Sequence, residues 1–367
     1  MISDDTFLSN ENTYLLSGNV FVTNGAKLTI QEGTIIRCDA EKSTSLLVTR
    51  GSKLIAVGNR KFPIVFTSSK KEKARASGDW GGIIILGSAK INNAIGTAVV
   101  EGNFNPKYSV YGGENNEEET AILKYVRIEF PGKKINKHKE LNGLSLCAIG
   151  SKTILENIMV SYSLDDSYEW YGGAGTYQNL ISLKSKDDDF DFTQGFKGRL
   201  INPLAVRHPF ISDVSGSYAV EIDGYDSSGF SADSELSSLI IENGTFINLV
   251  EEANIQFAKP AISSKKLAKI KVLNSSVSGF SQVMRIDSSF KNQNELDHKL
   301  LLTNNIFNIS DSKGVKSKNI NKFNLVKLFK TNKFTNFYLG PNDMYIDPFN
   351  EDAPSFIPKK VSLTTML

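Results

Sequence analysis

The chain has 367 residues, 40% of them hydrophobic, with 42 Lys and Arg against 40 Asp and Glu, a formal net charge of +2. That length allows two or three domains or one elongated repeat, and the near-balance of charge excludes a bulk pull towards nucleic acid or an anionic membrane. Two cysteines in unrelated segments, Cys38 and Cys147, exclude a disulfide framework or a zinc pattern and read as small core residues.

The opening "MISDDTFLSN" has neither the basic nor the apolar part of a signal peptide, so the expectation is either an internal protein or a mature, trimmed chain. No apolar run reaches the ~18 residues of a membrane span. "NVFVTNGAKLTIQEGTIIRC" (19–38), "SLLVTRGSKLIAVG" (45–58) and "FPIVFTSS" (62–69) alternate apolar and polar residues between glycine turns. "GDWGGIIILG" (78–87) reads as a strand buried by its neighbours. Residues 91–120 are polar and rich in Gly and Asn, and read as a side loop that protrudes between coils. "LKYVRIEF" (123–130) resumes the alternation.

Short strand cores follow: "LSL" (144–146), "YEW" (168–170), "FDF" (190–192), "VEI" (220–222), "IQF" (255–257) and "MRI" (284–286), at spacings of 24, 22, 30, 35 and 29. A second series trails them, and its last members align Leu239 with Ile270 and Leu301, Ile241 with Val272 and Thr303, and Asn243 with Asn274 and Asn305. Asn at one turn position in successive coils predicts a stacked amide ladder. A repeat of this period with almost no helical patterning predicts an all-β fold, a single right-handed parallel β-helix, or β-solenoid. The expected divisions are N-terminal strands and cap at 1–45, the β-helix at 46–310 with the loop 91–120, and an irregular C-terminal capping tail at 311–367 that covers the last coil.

"PIVFTSS", "GDWGGIIILG", "YGG", "ELNGLSL", "LDDSYEWYGG" and "DDDFDF", in that order over roughly 45–290, resemble a family of secreted bacterial right-handed parallel β-helix proteins. Many of these are similar to surface lipoproteins and have no assigned activity. The resemblance implies secretion or display on the outer cell surface. Relatives typically carry Gly and Trp where this chain has Ser167 and Phe192.

"SLDDSYEWYGG" (163–173) and "SKDDDFDFTQG" (185–195) align without a gap at a spacing of 22. On stacked coils, aligned residues lie about 4.8 Å apart. Tyr168, Trp170, Phe190 and Phe192 should then point inward. Ser145, Glu169, Asp191, Glu221, Gln256 and Arg285 should form one outward column, with Asp165, Asp166, Asp187, Asp188 and Asp189 beside it. Between 163 and 195 only Lys184 and Lys186 face seven acids. Such crowding calls for protonation, a basic neighbour or a bound cation. Calcium, which takes six to eight oxygens, is the expected ion, on Asp165, Asp166, Asp187 and Asp188. Asp residues that cap turns through backbone N–H groups explain the same pattern without an ion.

The leading expectation is a non-catalytic extracellular or cell-surface protein that presents a rigid face to glycan or a surface protein. Exposed tyrosines (Tyr162, Tyr171, Tyr177 and Tyr225) would serve a glycan. The alternative is a polysaccharide lyase or glycosidase that uses Glu169, Asp191 and Glu221, with Arg199 as a lyase base. A structural component of a surface assembly, or an oligomer, is a third expectation. His138, His208 and His298 have no metal-ligand spacing, and no phosphate loop or nucleic-acid motif is present.

Overall fold

Alternation of apolar and polar residues in short runs, broken by Gly and Asn, can bury one face of each strand only if strands stack upon one another. The computed structural model describes residues 1–137, 139–212, 216–225, 232, 235–311, 313–337 and 339–360, and in it the chain is an all-β parallel solenoid. Among the described residues, two large sheets are parallel throughout: one of ten strands, and one of eighteen that is folded into two ladders. Among the described residues, antiparallel strands occur only in the hairpins Ala98–Val99 with Val110–Tyr111 and Tyr345–Asp347 with Ser355–Pro358. No described helix is long and apolar enough to cross a membrane.

The ten-stranded sheet carries the acidic blocks. Leu144, Tyr168, Phe190, Val220, Ile262 and Met284 pair in series along one interior column, and Leu146, Trp170, Phe192 and Ile222 along the next. The aromatic rings stack: Tyr168 on Phe190 at 5.3 Å and Trp170 on Phe192 at 4.6 Å between centroids. All four are buried, and such stacked pairs contribute beyond their burial of apolar area.

The second sheet folds where Tyr125, Asn157, Asn179, Asn202, Asn243, Asn274 and Asn304 adopt φ between 50° and 57°. This left-handed region suits Asn better than most residues. The long strands Ala121–Glu129, Ile154–Ser161 and Ala174–Leu183 bend there, and so pair in both ladders. The amides form a ladder, in earlier coils than the expected Asn243, Asn274 and Asn305: Asn179 donates to Asn157 (3.0 Å), Asn202 to Asn179 (3.0 Å) and Asn243 to Asn202 (3.2 Å).

Two register expectations are corrected. The strand after Val220–Asp223 is Ile262–Lys265, not "IQF", which lies in the 3-10 turn Glu252–Phe257. Ser263 therefore takes the place expected for Gln256. The last coil is shifted by one residue: Ile270 pairs with Leu300 and Val272 with Leu302, and Asn304 rather than Asn305 takes the bend. Leu301 is 45% exposed while Leu300 and Leu302 are buried, because a one-residue slip turns each side chain to the other face.

The strands before residue 45 already belong to the coils, pairing in parallel with those that follow. Segment 91–120 contains the first hairpin and lies back on the ten-stranded sheet. Val100 and Tyr111, with Ala89, Ile91 and Leu141, bury outward-facing Phe21, Leu47, Ile84 and Cys147 in a second apolar cluster. Towards the C-terminus, the strand Lys333–Phe334 extends one ladder, and Phe329 and Phe334 pack on Phe307. Met344 and Tyr345 cover Val206 and Ile247 on the outer face of the folded sheet.

Candidate functional site: a carboxylate ladder

The apolar cover on the ten-stranded sheet ends where the acids begin. Outward residues run Ile84, Ser145, Glu169, Asp191, Glu221, Ser263 and Arg285 in consecutive pairing. Tyr111 of the covering hairpin packs on Tyr171 (6.1 Å) and bonds with Gln194 (3.0 Å), walling one side of this column.

Carboxylates gather in three overlapping groups, in each of which one oxygen per residue lies within 4.8 Å of the others: Asp165, Asp166 and Asp187; Asp166, Glu169 and Asp191; Asp188, Asp191 and Glu221. Of the four metal ligands expected from sequence, three therefore come together, while Asp188 turns to Asp191 and Glu221. The expected catalytic candidates Glu169, Asp191 and Glu221 stand in the same row. Arg199 does not: it sits on Lys197–Ile201 of the folded sheet and pairs with Glu242 at 2.7 Å.

Turn chemistry accounts for part of the row. Asp166, 7% exposed, accepts the Asp188 N–H at 2.8 Å, and Asp188, 5% exposed, accepts the Tyr218 N–H one coil on. Each carboxylate thus ties its turn to the next. Glu169 accepts from Asn142 Nδ2 and from the Tyr171 hydroxyl. The basic partners lie at the margins. Lys265 bonds Glu221, Lys266 reaches Asp223 (3.0 Å), and Arg207 holds Asp189 (2.8 Å). Among the described residues, no ion pair includes Asp166, Glu169, Asp188 or Asp191.

Burial pushes the Glu169 carboxyl up to about 8, against the pull of its Tyr171 hydrogen bond. Burial also drives Asp166, Asp188 and Asp191 well above the carboxylate range, with neighbouring acids adding to it. Glu221 is raised by burial, with Lys265 opposing. At neutral pH the row either keeps protons or takes a cation, since charged carboxylates this close repel strongly in a partly desolvated site.

Arg207 and Asn142 were not singled out in the sequence. Asn142 could have been: it stands two residues before Leu144, as Asp166 and Asp188 stand before Tyr168 and Phe190. Of the tyrosines expected as an exposed platform, Tyr177 is buried, Tyr171 is bound to Glu169, and Tyr162 stacks on Phe130 at 5.2 Å. Tyr225 lies under Lys266 Nζ at 5.4 Å. His208 packs on Phe210 (5.6 Å) and lines a cavity on the folded sheet; His298 bonds Asn294 O; His138 lies outside the described residues.

No curated protein matches the chain. Among solved structures it is similar to the tailspike protein of Acinetobacter baumannii phage AM24, at 11% identity and a TM-score of 0.28, over 88% of this chain and 50% of that one. The chain thus spans about half that tailspike's length. A family model described as a pectate-lyase like beta helix domain matches residues 1–343, so the chain belongs to that family of β-helix domains.

Proposed function

We propose that this protein is a non-catalytic β-helix of the extracellular space or cell surface that presents its acid-bearing sheet as a rigid face to glycan, with calcium held on the carboxylate ladder. The supporting observation is the spacing of oxygens in three linked groups, with no ion pair among the described residues to Asp166, Glu169, Asp188 or Asp191. Calcium suits such a row because it accepts many oxygens in flexible geometry. The family's name, with its reference to pectate lyase, fits a polysaccharide-directed role. A glycan array probed with and without calcium tests this reading: calcium-dependent binding lost in Glu169→Gln/Asp191→Asn supports it, and calcium-independent or absent binding counts against it.

One observation favours a catalytic second reading. Glu169, pushed up to about 8, holds a proton at neutral pH beside Asp191 in the next coil. Two carboxyls about 5 Å apart meet the spacing of a retaining glycosidase, in which Asp191, itself raised by burial, would have to give up its proton to act as nucleophile. Release of reducing ends from a polysaccharide, abolished by Glu169→Gln, would establish it. A lyase lacks an obvious base here, because Arg199 is on the other sheet and Lys265 is tied to Glu221.

A further inference from the structure

The outer face of the folded sheet carries an apolar run that the carboxylate ladder does not touch. Arg127, Met159, Ile181 and Leu204 pair in series on consecutive coils and so stand in one outward column, followed by Thr245 and Ser276. Outward positions that meet water favour polar residues, yet Met159, Ile181 and Leu204 are apolar and half-buried. In the neighbouring column, Met344 and Tyr345 cover Val206 and Ile247. Beyond that cover the sheet is not sealed. A cavity of about 380 Å³ has Met159, Ile181 and Leu204 on one side and Phe349 and Phe356 of the C-terminal hairpin on the other.

A second cavity, of about 440 Å³, adjoins the first through Met159 and Ile181, which line both. Here the lining changes character: Arg60 and Arg127 face it, and no acidic residue does. Among the described residues neither arginine is in an ion pair, whereas Arg199 and Arg207 each hold an acid. Arg127 rises from the strand Ala121–Glu129. Arg60 is presented by a turn that Asn59 closes, its Oδ1 accepting the N–H groups of Lys61 (2.9 Å) and Phe62 (3.0 Å). At the far end the charges are mixed, Lys184 and His208 against Glu251 and Glu351. One groove thus joins an apolar slot to a cationic mouth. From Arg127 to Leu204 it runs three coil steps, about 14 Å, the reach of an extended decyl or dodecyl chain.

We propose that this groove binds a medium-chain fatty acid, its carboxylate on Arg60 and Arg127 and its alkyl chain over Met159, Ile181 and Leu204 against Phe349 and Phe356. Guanidinium forks suit a planar carboxylate, which accepts paired N–H bonds. A neutral head would leave the two charges unanswered, and a cationic head would be repelled. Exposed charge pairs contribute little alone, so burial of the alkyl surface supplies most of the affinity. Both volumes fall in the range of small-molecule sites, about 300–1,000 Å³. The groove is on the other sheet from the carboxylate ladder and does not depend on it.

The test is calorimetric titration of the full chain with decanoate, decanol, decyltrimethylammonium and acetate, each below any micelle concentration. Decanoate is expected to give saturable heat with single-site stoichiometry. Decanol should bind about tenfold or more weaker, the loss of one or two charge-assisted hydrogen bonds, and the other two should give no heat. Arg60→Gln/Arg127→Gln should bring decanoate down to the affinity of decanol. Leu204→Trp, which fills the slot without changing charge, should weaken both, and the melting temperature of each variant checks that it folds. Glu169→Gln/Asp191→Asn should bind decanoate like the parent, so failure of the ladder reading and failure of this one are distinguishable. No saturable heat with decanoate, equal affinity for decyltrimethylammonium, or unchanged binding by the folded Arg60→Gln/Arg127→Gln and Leu204→Trp variants would each overturn the proposal. So would a parent that sediments as a dimer, dissociates in Met159→Glu and takes up no decanoate, which would give the face to a second copy of the chain.

Discussion

Arg207 Nη1 lies 2.8 Å from Asp189 Oδ2, with the two side chains 4% and 0% exposed. The same nitrogen donates to Tyr218 O at 2.9 Å, and Ser182 donates to the other oxygen of Asp189. Burial raises the Asp189 carboxyl while Arg207 opposes that rise. Losing one partner of such a pair leaves a buried charge, so Arg207→Met should cost about 3–5 kcal/mol in urea unfolding. Asp189→Asn/Arg207→Met should recover part of that loss. A single variant as stable as the parent would show that the pair does not hold the turn.

Stability should fall with rising pH in a chelator. A carboxyl raised in the folded state contributes stability that is fully present below its unfolded value of about 4.3 and lost as pH rises through the folded value. For Glu169 that window closes at about 8, and Asp166, Asp188 and Asp191 act in the same direction. Melting temperature measured from about pH 5 to 8.5 should decline, and less so in calcium. A flat or rising profile in chelator would contradict the proton-holding ladder.

The interior stack gives a packing test. Trp170 is sandwiched near Phe192 (4.6 Å) and Tyr177 (5.8 Å), all buried. Trp170→Ala should destabilise by about 3–5 kcal/mol in denaturant melts. A loss well under 1 kcal/mol would mean that the coil collapses around the gap.

At the bend, Asn202 has φ 54° and both donates and accepts in the amide ladder. Asn202→Ala loses two hydrogen bonds and meets left-handed strain of about 1–2 kcal/mol. Asn202→Gly loses the bonds alone and should be the more stable variant by thermal unfolding. The opposite order would place the cost in chain entropy rather than φ.

Much of this was legible in the sequence because strand parity is a local signal. The gap-free match of 163–173 with 185–195 placed Tyr168 over Phe190 and Glu169 over Asp191, as the pairing shows. The signal failed where a strand interior is polar: Ser264 stands in the interior column after Ile222 and is buried, so Ile262–Lys265 lacks the apolar–polar–apolar mark that "IQF" carries in a 3-10 turn. It also failed after the helix Gln293–Lys299, which shortens the repeat by one residue and shifts the last register. Arg207 meets Asp189 only across the interior of the coil, a relation that depends on how the turn closes. The regrouping of Asp188 with Asp191 and Glu221 depends on side-chain direction, which spacing alone does not encode.

Calorimetric titration of the chelator-treated protein with calcium bears most directly on the ladder as a cation site. Saturable heat, a raised melting temperature, and loss of both in Glu169→Gln/Asp191→Asn are the predicted result. No heat and an unchanged melting temperature in the parent protein would contradict it, leaving those carboxyls as proton-bearing ties between coils.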